Sequence, residues 1–388
     1  MSLSLPTVRK TKDSQAPPEP GPGDLARKRF PRKPVMLAIC ALVLVGALCV
    51  IYMLHKDVTL PRVVVSIPEC ELIAIHTLGF VIARGGSSGF LGADGSIYPV
   101  AGTYEYIITS GPWILGANPQ SIALIHPTDP GPPPLTVRLA PGEKPVPLLE
   151  DDVLLTYRPQ PETRFGEPWH LRAISPRGSV MWDNQIPYAP LFAQSNGRYL
   201  IVAAVDISGG GNPWVQCLSK HTGEILWQQS LGAGAWRYLA VTPEGNIRAV
   251  LDSCAYCLTP EGQVAWAYRP AGTIVSAVAS TDIVAVSVTK DVNAALSKLY
   301  GNAQVVVLGP GGDVLWDMKS MDELPRPFIV EGRLVVLESG GFSCFNVDTG
   351  DVLFSAKVDG YPIACAKDVI LVYKDNGLVL VDAGIPKP

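Results

Sequence analysis

The sequence predicts an all-β protein, an eight-bladed β-propeller preceded by a single N-terminal transmembrane helix. A turn that ends in Gly recurs along the chain, most clearly within Cys217–Trp227, at intervals of 36, 47, 45, 39, 50, 38 and 34 residues. Repeats of this length with four strands each are typical of propeller blades. The 37 Gly and 36 Pro residues favour many turns over long helices.

The chain before the repeats divides into a tail, an anchor and a linker. Residues 1–34 contain eight Lys or Arg and three Asp or Glu without a hydrophobic period, which predicts a disordered, basic cytoplasmic tail. Residues 35–54 carry no charge, and a helix of that length spans roughly 30 Å, the thickness of the hydrocarbon layer of a membrane. They are predicted to be an uncleaved signal anchor, with a cleaved signal peptide as the alternative.

The Lys and Arg residues that precede the anchor predict that the N-terminus is cytoplasmic. Residues 55–60 are then a juxtamembrane linker, and residues 61–388 form the propeller. We therefore expect a single-pass protein of the cell membrane with its propeller on the extracytoplasmic side.

The repeats divide into short apolar or β-branched runs that are punctuated by Gly, Pro, Asn or Asp. Predicted strands are 236–241, 246–252, 254–259 and 263–268 in the fifth repeat and 327–330, 333–338, 342–347 and 352–357 in the seventh. The eighth repeat has only three runs, and the strand at 62–67 is predicted to close its blade. Seven blades are the alternative, because the second repeat is Pro-rich and lacks the Trp of the other turns.

The turns resemble the repeat of the pyrroloquinoline-quinone-like propellers, with the pattern (Asp/Ser)-x-x-Thr-Gly-(Glu/Asp)-x-x-Trp. That superfamily includes quinoprotein alcohol dehydrogenases and the propeller lipoprotein of the outer-membrane assembly machinery, so the resemblance implies a bacterial cell-envelope protein. In that family the turn Gly and the Trp lock neighbouring blades. The resemblance implies this structural role for Gly178, Trp182, Gly223, Trp227, Gly262, Trp266, Gly312, Trp316, Gly350 and Phe354.

The sequence lacks the residues that quinone chemistry would need. Quinoprotein dehydrogenases use an adjacent Cys–Cys disulfide and a cluster of Asp, Glu and Asn around calcium, and neither pattern is present. Cys254 and Cys257 have no second Cys or His pair for zinc, and no catalytic or phosphate-loop motif accompanies the five His residues. We therefore expect no cofactor, no metal and no enzymatic activity. The alternative is a quinone- or calcium-dependent oxidoreductase on the same propeller.

Three insertions give the best indication of function. Residues 159–168, 207–213 and 289–302 lengthen the third, fourth and sixth repeats, and we place them between the second and third strands. Such loops emerge on one face, where repeat proteins often bind. The predicted binding residues are Arg164, Phe165, Trp169, His170, Asn212, Trp214, Lys290, Lys298 and Tyr300.

Aromatic residues mixed with Arg and Lys suit a protein or glycan partner. A nucleic-acid partner is not expected, because the formal net charge is −4 although the tail is basic, so the propeller itself is acidic. The sequence thus predicts a non-enzymatic binding or scaffold module of the cell envelope. Insertions that are tolerated without any function are the alternative.

Overall fold

The described part of the chain is built of β-strands. The structure is a computed structural model that describes residues 61–100, 102–110, 113–127, 135–146, 148–149, 153–158, 168–175, 177–289, 303–320 and 324–384. Within these ranges the protein is an all-β propeller of eight blades, which confirms the predicted eight-bladed propeller and excludes the seven-bladed alternative. The predicted tail, anchor and linker lie outside these ranges. Among the described residues, none belongs to a helix with the length and apolarity needed to cross a membrane.

The first half of the propeller contains strands β1 to β18. In chain order they are β1 (Val63–Pro68), β2 (Cys70–His76), β3 (Gly79–Arg84), β4 (Ser87–Gly92), β5 (Ile97–Val100), β6 (Tyr106–Ser110), β7 (Trp113–Asn118), β8 (Ser121–Ile125), β9 (Leu135–Arg138), β10 (Lys144–Val146), β11 (Leu148–Leu149), β12 (Leu154–Arg158), β13 (Trp169–Ile174), β14 (Val180–Ile186), β15 (Ala189–Ser195), β16 (Tyr199–Asp206), β17 (Asn212–Ser219) and β18 (Ile225–Ser230).

The second half contains strands β19 to β33. They are β19 (Trp236–Val241), β20 (Ile247–Leu251), β21 (Ala255–Leu258), β22 (Val264–Tyr268), β23 (Thr273–Ala279), β24 (Val284–Thr289), β25 (Ala303–Leu308), β26 (Val314–Ser320), β27 (Arg326–Val330), β28 (Arg333–Glu338), β29 (Gly341–Asn346), β30 (Val352–Lys357), β31 (Tyr361–Ala366), β32 (Val369–Lys374) and β33 (Gly377–Asp382).

Each blade is an antiparallel sheet whose strands run outward in chain order. The blades are β2–β5, β6–β9, β10 with β12–β14, β15–β18, β19–β22, β23–β26, β27–β30, and β31–β33 with β1. Two strands depart from this plan: β1, the first strand in the chain, is the outermost strand of blade 8, and β11 pairs in parallel with β15 and extends the sheet of blade 4 to five strands. Contacts between neighbouring blades connect the sheets around the ring.

The hydrophobic core lies in the seams between blades. The second strand of each blade is largely buried on both faces, and every residue of β20 and β24 is buried. Such strands are apolar and often β-branched because a neighbouring blade covers each of their faces. The outermost strands are largely exposed, as in β30, where only Ala356 is fully buried.

The antiparallel order of the strands gives the propeller two distinct faces. Connections between second and third strands emerge on one face, which we call the loop face, and the glycine turns between third and fourth strands emerge on the opposite turn face. The three insertions fall between second and third strands, as predicted: between β12 and β13, β16 and β17, and β24 and β25. The loop face is therefore the decorated one.

Blade 8 is built from both ends of the described chain. Strand β1 is its outermost strand and runs antiparallel to β33, with Val63 opposite Val381 and Pro68 opposite Gly377. The backbone N–H of Asp382 donates to the carbonyl of Arg62 over 2.8 Å. This pairing covers an edge of β33 that would otherwise be open to other strands.

Candidate functional site

The repeated Trp residues contact the turn of the following blade, on the turn face. Their indole N–H groups donate to turn carbonyls over 2.7–2.8 Å: Trp182 to Lys220, Trp227 to Pro260, Trp266 to Pro310 and Trp316 to Val347. A Cβ atom on Gly223, Gly262, Gly312 or Gly350 would approach the same four rings to 2.5, 2.5, 2.6 and 2.8 Å. At the other two predicted turn positions the contacts are looser, since a Cβ on Gly178 would lie 3.9 Å from Val137, and Phe354 lies 3.9 Å from such an atom on Gly384.

Four of the predicted binding residues are described, and they begin two strands on the loop face. Trp169 and His170 open β13, and Asn212 and Trp214 belong to the start of β17. The remaining predicted binding residues lie outside the described ranges: Arg164, Phe165, Lys290, Lys298 and Tyr300. Trp169 and Trp214 pack against one hydrophobic core between blades 3 and 4. His170 lies on the opposite face of β13 from Trp169, because side chains alternate along a strand.

Two tyrosines join these tryptophans and form an aromatic cluster at the loop face. Tyr188 stacks on Trp214 with ring centroids 4.4 Å apart and an interplanar angle of 21°. Tyr157 and Trp169 have centroids 5.8 Å apart at 47°. All four rings are half-buried and pack on the core between blades 3 and 4. We call this group, Tyr157, Trp169, Tyr188 and Trp214, the aromatic cleft.

Strand register brings the aromatic cleft together. Tyr157 pairs with Leu171 across β12 and β13, and Trp169 is two residues before Leu171 on the same face. This face points at blade 4 because Leu171 belongs to the core between blades 3 and 4. Tyr188 lies in the connection that leads from β14 into β15. Two blades and a connecting segment therefore each contribute rings to the cleft.

The turn before β17 holds the Trp214 side of the cleft. Asp206 accepts hydrogen bonds from the Ser208 hydroxyl over 2.8 Å and from the backbone N–H of Gly209 over 2.7 Å. The Asn212 amide donates to the carbonyl of Gly209 over 3.0 Å. These bonds pair polar groups of the turn with one another. The insertion between β16 and β17 is therefore an ordered element next to the aromatic rings.

The charge state of the cleft follows from these contacts. The hydrogen bonds from Ser208 and Gly209 lower the pKa of Asp206, which is therefore a carboxylate at neutral pH. Burial, and to a lesser degree the charge of Asp206, raises the pKa of the Tyr188 phenol. Tyr188 is neutral at physiological pH, and the rings of the cleft present an uncharged surface.

Three polar atoms beside the aromatic cleft have no partner among the described residues. They are the indole nitrogen of Trp214 and both the amide nitrogen and the amide oxygen of Gln216. Gln216 is completely buried. It follows Trp214 by two residues on β17, so both side chains lie on the face of β17 that points at blade 3.

A charged group occupies the opposite face of blade 3. The carboxylate of Glu143 accepts hydrogen bonds from the Arg172 guanidinium over 2.5 Å, from the backbone N–H of Ala140 over 2.6 Å and from the hydroxyl of Thr156. A cavity of about 20 Å³ is bordered by Glu143, Arg172 and Ala140 together with Arg158, His170 and Asp183. Such a volume holds about one water molecule, so we do not assign a ligand to it.

No group of three or more His, Cys, Asp or Glu residues in the described ranges is arranged to hold a metal ion. The six cysteines of those ranges are buried and unpaired. Burial raises the pKa of the thiols of Cys217 and Cys365 to about 12. These two thiols are therefore protonated core residues at neutral pH.

Sequence reasoning missed the two tyrosines of the aromatic cleft. Tyr157 belongs to an inner strand and Tyr188 to a connection between blades, and neither position lies in an insertion or recurs in the repeat. The available signal was positional: Tyr157 is the penultimate residue of β12 and lies two residues before the insertion at 159–168, and Tyr188 directly precedes the first strand of the next blade.

Comparison with known proteins identifies the fold. No protein-family profile and no curated protein sequence matches the chain. Among solved structures, Sqt1 from Saccharomyces cerevisiae is similar with 10% identity and a TM-score of 0.56 over 84% of this chain and 99% of its own. Apo AztD from Citrobacter koseri is similar with 10% identity and a TM-score of 0.53 over 76% of this chain and 87% of its own.

BamB from Moraxella catarrhalis matches with 13% identity, 71% of this chain, 95% of its own and a TM-score of 0.38. At these identities the similarity to Sqt1 and AztD concerns the fold alone. The function must therefore be argued from the residues of this chain.

Proposed function

We propose that this protein is a membrane-anchored β-propeller of the bacterial cell envelope that binds a protein or glycan partner and catalyses no reaction. The observation that carries the proposal is the aromatic cleft, where two pairs of half-buried rings, from blades 3 and 4 and the connection between them, pack on one core at the decorated face. Trp and Tyr dominate binding hot spots because they bury a large area at a small cost in side-chain entropy. The loop face is therefore the proposed binding face.

The proposed location rests on the sequence. Residues 35–54 are apolar, and basic residues lie before them, which favours a cytoplasmic tail and an extracytoplasmic propeller. The similarity of the turns to pyrroloquinoline-quinone-like repeats supports a place in that superfamily. Alkaline phosphatase fused after residue 388 tests the location, because this enzyme becomes active only outside the bacterial cytoplasm. An inactive fusion that is nonetheless made in normal amount would contradict the proposal.

The binding role is tested in the full-length protein by chemical cross-linking in membranes. The variant Trp169→Ala with Tyr188→Ala removes one ring from each side of the cleft and should abolish the cross-linked partner. The matched control is Leu226→Ala with Val264→Ala, which removes two side chains that are 50% and 47% exposed on outermost strands next to the turn face. Equal cross-linking by both variants would show that the partner binds elsewhere.

The oxidoreductase alternative has a direct test. The purified protein is titrated with pyrroloquinoline quinone and calcium and assayed for dye-linked oxidation of alcohols and sugars. The proposal of a non-enzymatic role requires that neither a cofactor spectrum nor oxidation is observed. A stoichiometric cofactor spectrum would replace the proposal with the alternative.

A further inference from the structure

A buried amide without hydrogen bonds lies beside the aromatic cleft, on the same face of β17 as Trp214. Gln216 has no exposed surface, and neither its amide nitrogen nor its amide oxygen has a partner among the described residues. The indole N–H of Trp214 is also unpaired. Trp214 lies two residues before Gln216 on the same face of β17 and is nearer the loop face. Other Trp residues of the propeller pair this group, as Trp236 does with the carbonyl of Ala204 over 3.1 Å.

Unpaired buried groups of this kind require an explanation. Buried amide and indole groups almost always have a hydrogen-bond partner, since desolvation without one is unfavourable. The Gln216 amide offers donors and an acceptor, and the Trp214 indole offers one donor. A complementary ligand must therefore both donate and accept hydrogen bonds beside an aromatic surface.

These groups also limit the charge of the ligand. All the unpaired atoms belong to neutral side chains. The carboxylate of Asp206, whose charge acts on Tyr188, is already hydrogen-bonded within its own turn. An anionic group would lose its hydration without gaining an opposite charge. A cationic group could accept no hydrogen bond from the unpaired N–H groups, and an apolar group would leave the amide unpaired. Neutral hydroxyl groups meet both requirements.

We infer that the aromatic cleft binds a neutral saccharide, with the C–H face of a sugar ring against the aromatic rings and its hydroxyl groups on Trp214 Nε1 and the Gln216 amide. This inference rests on the proposed function and names its ligand class. Because Gln216 is fully buried in the unliganded protein, its contact with a hydroxyl requires movement of a cleft side chain. Binding should consequently change the tryptophan fluorescence.

Detergent-solubilised full-length protein is titrated with neutral oligosaccharides of glucose, galactose and N-acetylglucosamine, with calorimetry and tryptophan fluorescence as readouts. The informative variants are Gln216→Leu, which removes the amide at similar volume, and Trp214→Phe, which keeps a ring without the N–H. Each should weaken binding of the best oligosaccharide by roughly ten-fold, the effect of one lost hydrogen bond. Gln216→Leu should also raise the thermal midpoint of the unliganded protein, because it removes a buried amide that has no partner there. Greater stability combined with weaker binding would not be expected of an amide with a merely structural role.

Trp236→Phe is the matched control, because its indole N–H already donates to the carbonyl of Ala204. It should lower the thermal midpoint and leave saccharide affinity unchanged. The inference is wrong if no oligosaccharide binds, or if Gln216→Leu and Trp214→Phe bind as tightly as the unaltered protein. If no oligosaccharide binds while the Trp169→Ala, Tyr188→Ala variant still loses a cross-linked protein, the proposed function stands and only the saccharide assignment fails.

Discussion

At the scale of the residue, two separate constraints act on each Trp-contacting turn glycine. Gly312 has a φ angle of 83°, a conformation that other residues adopt at a cost of about 1–2 kcal/mol. It also lies beneath Trp266, where a Cβ atom would come within 2.6 Å of the ring. Gly332 has a similar φ of 73°, but no atom lies within 4 Å of its position for a Cβ. Comparing substitutions at Gly312 and Gly332 therefore separates the cost of the backbone conformation from the cost of disturbing the contact between blades.

We predict that Gly312→Ala lowers the free energy of unfolding by about 3 kcal/mol or more, because the methyl group displaces the Trp266 ring and its bond to Pro310. Gly332→Ala should cost only the backbone term, about 1–2 kcal/mol. Urea denaturation of both variants measures the difference. Equal losses would mean that the contact between Trp and turn does not stabilise the ring.

The buried thiols make stability depend on pH in the alkaline range. Burial raises the pKa of Cys365 from an ordinary value of 9.0 to about 12. Since the folded state holds this proton more tightly than the unfolded state, the contribution to stability is complete below pH 9 and is lost as the pH rises toward 12. The stability that each such thiol contributes should therefore fall by up to about 1.4 kcal/mol for each unit of rising pH in that window.

The measurement is urea denaturation between pH 8 and pH 11, with Cys365→Ala as the control that lacks the proton. The unaltered protein should lose more stability across the upper part of this range than the variant does. Parallel profiles would show that the thiol is accessible to water in the folded protein.

At the scale of the element, β1, the strand that joins the two ends of the ring, should stabilise the propeller mainly through the side chain of Ile67. Ile67 is 4% exposed and belongs to a core cluster shared by blades 8 and 1, whereas Val63, on the same strand, is 57% exposed. Ile67→Ala should destabilise the propeller by about 2–4 kcal/mol through the cavity that it leaves. Val63→Ala should change stability by less than about 0.5 kcal/mol.

Thermal and urea denaturation of these two variants test whether β1 is a stable part of blade 8. If Ile67→Ala is as mild as Val63→Ala, β1 is not held against β33 in solution. In that case the outer edge of β33 would be open to other strands, which concentration-dependent association would reveal.

The strands show which parts of the fold a single sequence can predict. The strands predicted at 236–241, 333–338 and 352–357 coincide with β19, β28 and β30, because alternating or β-branched runs between turn residues are local signals. The parallel pairing of β11 with β15 was not predictable from such signals, since it joins two-residue segments of different blades. The aromatic cleft was not predictable for the same reason, because its residues meet only when blades 3 and 4 pack against each other.

At the scale of the whole molecule, the contacts between blades are uneven around the ring. Indole hydrogen bonds link blades 3 to 4, 4 to 5, 5 to 6 and 6 to 7. Between blades 8 and 1 the corresponding turn, at Gly95, meets the aliphatic side chain of Val64, and between blades 2 and 3 Gly178 meets Val137. These smaller side chains carry no donor for the turn carbonyl. Every blade from 4 to 6 has an indole hydrogen bond to both of its neighbours. This arc should therefore be the most resistant to local opening.

Native-state hydrogen exchange tests this asymmetry, because it reports local opening strand by strand. Amides of β20, at the centre of the bonded arc, should exchange more slowly than those of β7, which has the equivalent place in blade 2. Trp266→Phe removes the indole N–H and keeps a ring over Gly312, so opening of blades 5 and 6 should become easier by about 0.5–1.5 kcal/mol. The exchange of β7 should not change, since distant sites that share no partners are independent. Equal protection of β7 and β20, or a Trp266→Phe effect spread evenly over all blades, would mean that the ring opens as one cooperative unit and that its stability is not set seam by seam.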